Sequence, residues 1–141
     1  MISLAQTVHQ IETTWRTEFQ TIPTRMIGER LDADRLPAWA ELWIVPQDPP
    51  AGRLRGIERR PIEAIVHLFV EPRQSLQSIE VLIDLARGVL EHRTLDSPFQ
   101  TIRFRELTIR DLSRDDDDGL ASRHLVLVAP ADVFAREPTA A

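Results

Sequence analysis

The sequence predicts an α+β fold in which two helices pack on a mainly antiparallel four-stranded sheet, in the order α-β-β-α-β-β. Two segments repeat apolar residues at helical spacing, and four segments are rich in β-branched or alternating apolar residues. A length of 141 residues, 43% of them hydrophobic, suits one domain. We therefore expect a single domain over residues 1–130 and a loosely held C-terminal tail over residues 131–141.

The first helix is predicted to begin after Ser3, because Ser3 and Gln6 have the spacing of a capping box. Pro23 is expected to end it. Residues 23–37 show no clear period, so we expect a connector there. The apolar positions that recur every three or four residues are Leu4, Val8, Ile11, Trp15 and Phe19.

Two strands and a long loop are predicted next. Residues 39–45 alternate like a strand that Pro46 stops. Residues 47–60 contain a Pro-Pro pair and two glycines, which predicts an irregular loop. Residues 62–70 are β-branched and apolar on both faces, which is typical of a central strand.

The second helix is predicted to begin at Ser75 or Ser78 and to run to about residue 92. Its apolar positions cover an arc of roughly 200°, which is wider than one core requires. We therefore expect Val81, Leu85 and Val89 to contact a neighbouring subunit, because exposed apolar patches usually mark interfaces. The competing explanation is a helix sandwiched between the sheet and the first helix.

The C-terminal part is predicted to hold two further strands. Residues 101–112 change their apolar phase near Arg105 and Glu106, which indicates a bulge or bend. The four aspartates 115–118 precede Gly119 and predict a solvated hairpin turn. An EF-hand loop is excluded there, because Arg114 and Leu125 would occupy two ligand positions. Residues 122–129 form the last predicted strand, which Pro130 is expected to end.

The composition points away from most enzyme classes. Cysteine and lysine are both absent, which excludes thiolate, Schiff-base and P-loop lysine chemistry. The four histidines are scattered, so no metal site and no cofactor are predicted, although His67 and His124 become neighbours if their strands pair.

No segment has the length of a membrane span or the pattern of a signal peptide, and we expect the protein to be located in the cytoplasm.

Two further groups of side chains have both a functional and a structural interpretation. Trp15, Trp39 and Trp43 are interpreted as helix–sheet core packing and not as a ligand platform. Four arginines cluster in the predicted loop and are suited to phosphates or to an acidic surface of a protein partner; the alternative is a solvated loop. They are Arg53, Arg55, Arg59 and Arg60.

Residues 1–130 resemble the tail terminator, or tail-completion, family of long-tailed bacteriophages in the order of their elements. That order runs from the N-terminal helix through the basic loop to the broadly apolar second helix and two closing strands. The resemblance implies a structural, non-enzymatic virion protein that is assembled in the host cytoplasm. It would form a homo-oligomeric ring of six copies at the head-proximal end of the tail. Its partners would be the tail tube protein and the head-tail connector, with transient contact to passing DNA.

The resemblance also gives the arginine loop a role, because a ring repeats it in every subunit. We expect it to dock onto an acidic surface of the tube or connector, with contact to DNA in the lumen as the alternative. Two other classes of function remain open. One is an adaptor subunit of a bacterial contractile or secretion apparatus. The other is a small enzyme whose unfamiliar site uses His67, His124 and the aspartates 115–118.

Overall fold

The strands of this protein form one curled sheet with the shape of a half-barrel, and both helices pack against the same face of it. A computed structural model describes residues 2–31, 36–47, 53–54, 57–71, 74–112 and 123–135. Seven strands build the mixed sheet, and a further two-residue strand pairs with the start of the longest one, so the described residues contain eight. The predicted four-stranded antiparallel sheet is therefore wrong, and so is the predicted order of elements.

The elements are, in chain order, α1 Leu4–Glu18, β1 Thr24–Arg25, β2 Ala38–Pro46, β3 Arg53–Leu54, β4 Ile57–Val70, α2 Leu76–Leu90, β5 Thr94–Asp96, β6 Gln100–Phe104, β7 Thr108–Asp111 and β8 Arg123–Ala135. Across the sheet the order is β1-β2-β4-β8-β6-β5, while β3 pairs with β4 and β7 pairs with β8. The β1–β2 pair is parallel, and the other pairs are antiparallel. Neither helix is long and apolar enough to cross a membrane.

Both predicted helices are confirmed, together with their N-caps. The side chain of Ser3 accepts a hydrogen bond from the backbone N–H of Gln6, and Ser75 accepts one from Ser78. α1 ends at Glu18, one turn before Pro23. The ends of the two helices are joined by Arg93, whose guanidinium donates to both carboxylate oxygens of Glu18 at 2.8 and 3.1 Å.

The predicted break in residues 101–112 is confirmed. β6 and β7 lie end to end along the same edge of β8, and Arg105 and Glu106 are in the interruption between them. The phase change arises because the ladder stops and restarts there, which shifts the side of the sheet on which apolar residues fall.

The predicted loop over residues 47–60 is wrong in its second half. β3 and the first residues of β4 form a short antiparallel ladder there, so Arg59 and Arg60 belong to a strand. The residues between β3 and β4, with Gly56, lie outside the described residues, as do 48–52.

The expectation that Pro130 ends the last strand is also wrong, because β8 continues through it to Ala135. The Pro130 carbonyl accepts from the Arg105 N–H at 2.9 Å, so the Pro130 nitrogen also faces the gap between β6 and β7. No ladder donor is needed at that gap, and proline is tolerated there. Residues 131–135 of the expected tail are paired with β4 and β6, and residues 136–141 lie outside the described residues.

One continuous core fills the space between the helices and the sheet. The even-numbered residues 62–70 of β4 are buried in it, and β4 lies between β2 and β8, which confirms the predicted central strand. From α1 the core receives the fully buried Ile11 and Trp15, and the Trp15 indole donates to the Thr24 hydroxyl at 2.9 Å.

The other side of the sheet is uncovered by α1 and α2, and we call it the open face. It is formed by the odd-numbered residues 39–45 of β2 and 59–69 of β4, together with the even-numbered residues 124–134 of β8. The register continues it onto Arg103 of β6 and Arg110 of β7. The core cluster contains none of these residues, and among them only Val126 of β8 is buried.

Candidate functional site

A row of aromatic rings crosses the open face. The register places Trp39 of β2 opposite Phe69 of β4, and Phe69 opposite His124 of β8. The Trp39 and Phe69 rings stack with centroids 4.2 Å apart, and the Phe69 and His124 rings stack at 4.4 Å. Such cross-strand aromatic pairs stabilise a sheet.

The two histidines of this face form a hydrogen-bonded pair. The prediction that His67 and His124 become neighbours if their strands pair is confirmed, since Nδ1 of His67 lies 2.8 Å from Nε2 of His124. Burial lowers the pKa of His124, the nearby His67 lowers it further, and Glu41 opposes both effects. Among the described side chains, no three His, Cys, Asp or Glu residues are grouped so that they could hold a metal ion.

The interpretation of the three tryptophans is right for one of them. Trp15 is fully buried in the core, whereas Trp39 and Trp43 lie on the open face, where Trp43 is 38% exposed and is followed two residues later by the exposed Val45. The buried face of β2 instead carries Ala38 and Ala40 beside Leu42 and Ile44. The two alanines on that face were the available signal, because small side chains let a helix pack close to a strand, and α1 does contact β2.

The outer side of α2 presents two of the three residues expected at an interface. Val81 is 51% exposed and Leu85 is 39% exposed, while Val89 is only 3% exposed and belongs to the core. Val89 is therefore not available to a neighbouring subunit. Its position follows from the helix period, because it extends the buried stripe of α2, which consists of Ile79, Leu82, Ala86, Val89 and Leu90.

Three arginines of the predicted cluster lie in strands and not in an irregular loop. Nε of Arg59 donates to Oδ1 of Asp132 at 3.0 Å on the open face, which ties Arg59 to β8. Arg60 lies next to it in β4, and Arg53 lies in β3. Arg55 lies outside the described residues, and so do the aspartates 115–118.

Comparisons with known proteins bear on the fold. No family model matches the chain, and no curated protein matches it. Twelve chains of solved structures do match. One of them, whose name states no activity, has a TM-score of 0.60 and 10% sequence identity, covering 98% of this chain and 100% of that chain. At this identity the likeness shows that the two proteins share a fold over nearly their whole lengths.

Proposed function

We propose that this chain is a structural subunit that assembles into a ring, and that the ring is the tail terminator of a long-tailed bacteriophage. The observation that carries the proposal is the pair of exposed aliphatic side chains on α2, Val81 and Leu85. The buried stripe of α2 is complete without them, so they contribute little to the stability of the single chain. Exposed apolar residues that a fold does not need usually mark a contact with another molecule.

The position of these residues supports a ring over a closed pair. The outer side of α2 lies on the helix side of the sheet, whereas the aromatic open face lies on its opposite side. Two different apolar surfaces on opposite sides of one subunit favour head-to-tail association. Head-to-tail contacts generate rings when the rotation between neighbours closes, and filaments when it does not.

A ring of this kind has a simple mechanical role at the end of a tail. One flat side of the ring covers the last layer of the tail tube, which stops further growth, and the other side presents repeated surfaces to the head connector. Arg53, Arg55, Arg59 and Arg60 recur in every subunit, so a ring would repeat them as a basic band, to which Arg59 contributes less because Asp132 pairs with it. We propose that this band docks onto acidic groups of the tube or connector. Such a subunit binds and positions other proteins and performs no catalysis.

The test is the double variant V81E/L85E. Two carboxylates at the centre of an apolar contact would have to be buried without partners, so we expect a folded monomer in sedimentation velocity and no rings in negative-stain electron microscopy. The matched control is L4E/F99E, which places the same charges at two exposed apolar positions outside α2. The control should assemble like the wild type. Assembly of V81E/L85E equal to that of the control would contradict the proposal.

A further inference from the structure

We infer that the outer side of α2 in one copy docks onto the open face of the sheet in the next copy. This inference rests on the proposed ring and specifies how its subunits join. The occupant of the open face is therefore a second copy of this chain. Three observations support the match: the apolar character of both surfaces, their opposite charges, and the spacing between their apolar and charged rows.

Both surfaces are apolar at their centres. On the open face, Trp43 of β2 lies opposite Ile65 of β4, and Ile65 lies opposite Val128 of β8. This row adjoins the stacked rings of Trp39 and Phe69 and is uncovered by either helix. Val81 and Leu85 are one helical turn apart on α2 and form a short aliphatic ridge that fits against such a row.

The charges beside the two apolar centres are opposite. Glu80 and Asp84 are exposed on α2 next to the aliphatic ridge. On the open face, Arg103 and Arg110 are exposed, and neither has an ion-pair partner among the described residues. Arg87 lies 3.9 Å from Asp84 and compensates it in part. Docking with the acidic side of α2 over Arg110 gives Glu80 a cationic partner that it lacks among the described residues, and gives Asp84 one in addition to Arg87.

The spacing between the apolar and charged rows agrees on the two surfaces. Adjacent helix positions are 100° apart, so the acidic row of α2 lies roughly 9 Å from the aliphatic row at a helix radius of about 5 Å. On the sheet, Arg110 lies opposite Val126, and Val126 lies opposite His67. Val126 lies two residues from Val128 along β8, so the row that ends at Arg110 runs about 7 Å from the apolar row of Trp43, Ile65 and Val128.

The remaining charges of the open face do not oppose this docking. Glu41 is paired with Arg25 at 3.1 Å, and Asp132 is paired with Arg59 at 3.0 Å. Glu63 lies four residues along β4 from His67, about 13 Å from the row that leads to Arg110. By contrast, a symmetric contact of α2 with α2 would bring Glu80 and Asp84 of both copies together, and like charges at an interface are unfavourable.

The experiment uses two variants of the full chain that each lose one surface. V81E/L85E lacks the α2 ridge but keeps the open face, and W43E/V45E lacks the open face but keeps α2. Each variant alone should be monomeric. When mixed, they should form a 1:1 complex that grows no further, because the only intact ridge meets the only intact face. Native mass spectrometry counts the copies directly.

The outcomes separate this inference from the proposed function. A wild type that stays monomeric overturns the ring itself. Two other outcomes leave the ring in place and overturn only the docking of α2 on the open face. In one, the wild type forms a ring but the two folded variants do not pair on mixing. In the other, W43E/V45E still forms the wild-type assembly. A charge exchange provides a second measurement in case W43E/V45E is unfolded. R103E/R110E should weaken association by about tenfold, and adding E80R/D84R to the same chain should restore it. Weakening without restoration contradicts the match.

Discussion

The imidazoles of His67 and His124 share one hydrogen bond. One ring nitrogen must donate and the other must accept across their 2.8 Å separation. If both rings are cationic, both nitrogens carry hydrogen and the bond is lost. The lowered pKa of His124, caused first by burial and then by His67, reflects the same preference for the neutral form.

This preference makes stability depend on pH. Because the folded pKa of His124 lies below its unfolded value of about 6.5, the neutral form stabilises the fold above that pH. We expect the free energy of unfolding to fall as pH decreases from about 7 through the folded pKa, and this fall to be smaller in H124F. Urea unfolding monitored by tryptophan fluorescence at several pH values measures both. An unchanged pH dependence in H124F contradicts the assignment.

The same two histidines would contribute to the active site if the protein were a small enzyme. Neither His67 nor His124 lies in a constellation of nucleophile, base and orienting group among the described residues. We therefore expect alanine at His67, His124 or Asp117 to change assembly or stability and to abolish no activity. Assays of the wild type with ester, phosphoester and amide substrates test this. A turnover that one of these substitutions removes would show that the protein is an enzyme.

At the scale of elements, the long segments were predictable from the sequence and the short ones were not. α1, α2 and the 62–70 part of β4 each contain enough residues to show a period of 3.6 or 2. β1, β3 and β5 have two or three residues, which is too few for any period, and they exist because a longer neighbour offers an edge. The sheet was therefore predicted with too few strands.

The faces of the elements were predictable only in part. The apolar arc of α2 correctly predicted exposed Val81 and Leu85, but it could not assign Val89, whose angle lies between the buried stripe and the outer ridge. For β2, both faces are apolar, and sequence alone does not decide which face meets the helices. The open face, with His67, Phe69 and the tryptophans of β2, was consequently missed as a candidate surface.

α2 offers a matched pair of substitutions that separates its two sides. V89A removes two methyl-sized groups from the core and should lower the free energy of unfolding by about 2 kcal/mol. V81A removes the same groups from an exposed position and should change it by less than about 0.5 kcal/mol in the monomer. Urea denaturation, at a protein concentration too low for the chain to assemble, gives both free energies. Equal costs for the two variants would mean that the assigned orientation of α2 is wrong.

At the scale of the whole molecule, the layered fold places different surfaces on its two sides. The helices close one side of the curled sheet and leave an aliphatic ridge with acidic neighbours outside. The strands leave aromatic rings and arginines on the other side. If the two sides dock as we infer, association does not stop at a dimer, and a closed ring is the expected assembly.

Native mass spectrometry of the wild-type chain tests this claim most directly, because it counts copies without any partner protein. We expect one dominant assembly that holds a fixed number of chains, six if the tail terminator resemblance extends to the ring, and that stays the same size as the concentration rises. A series of masses that grows with concentration would indicate an open filament. A single-chain mass at every concentration would contradict self-association and with it the proposed function.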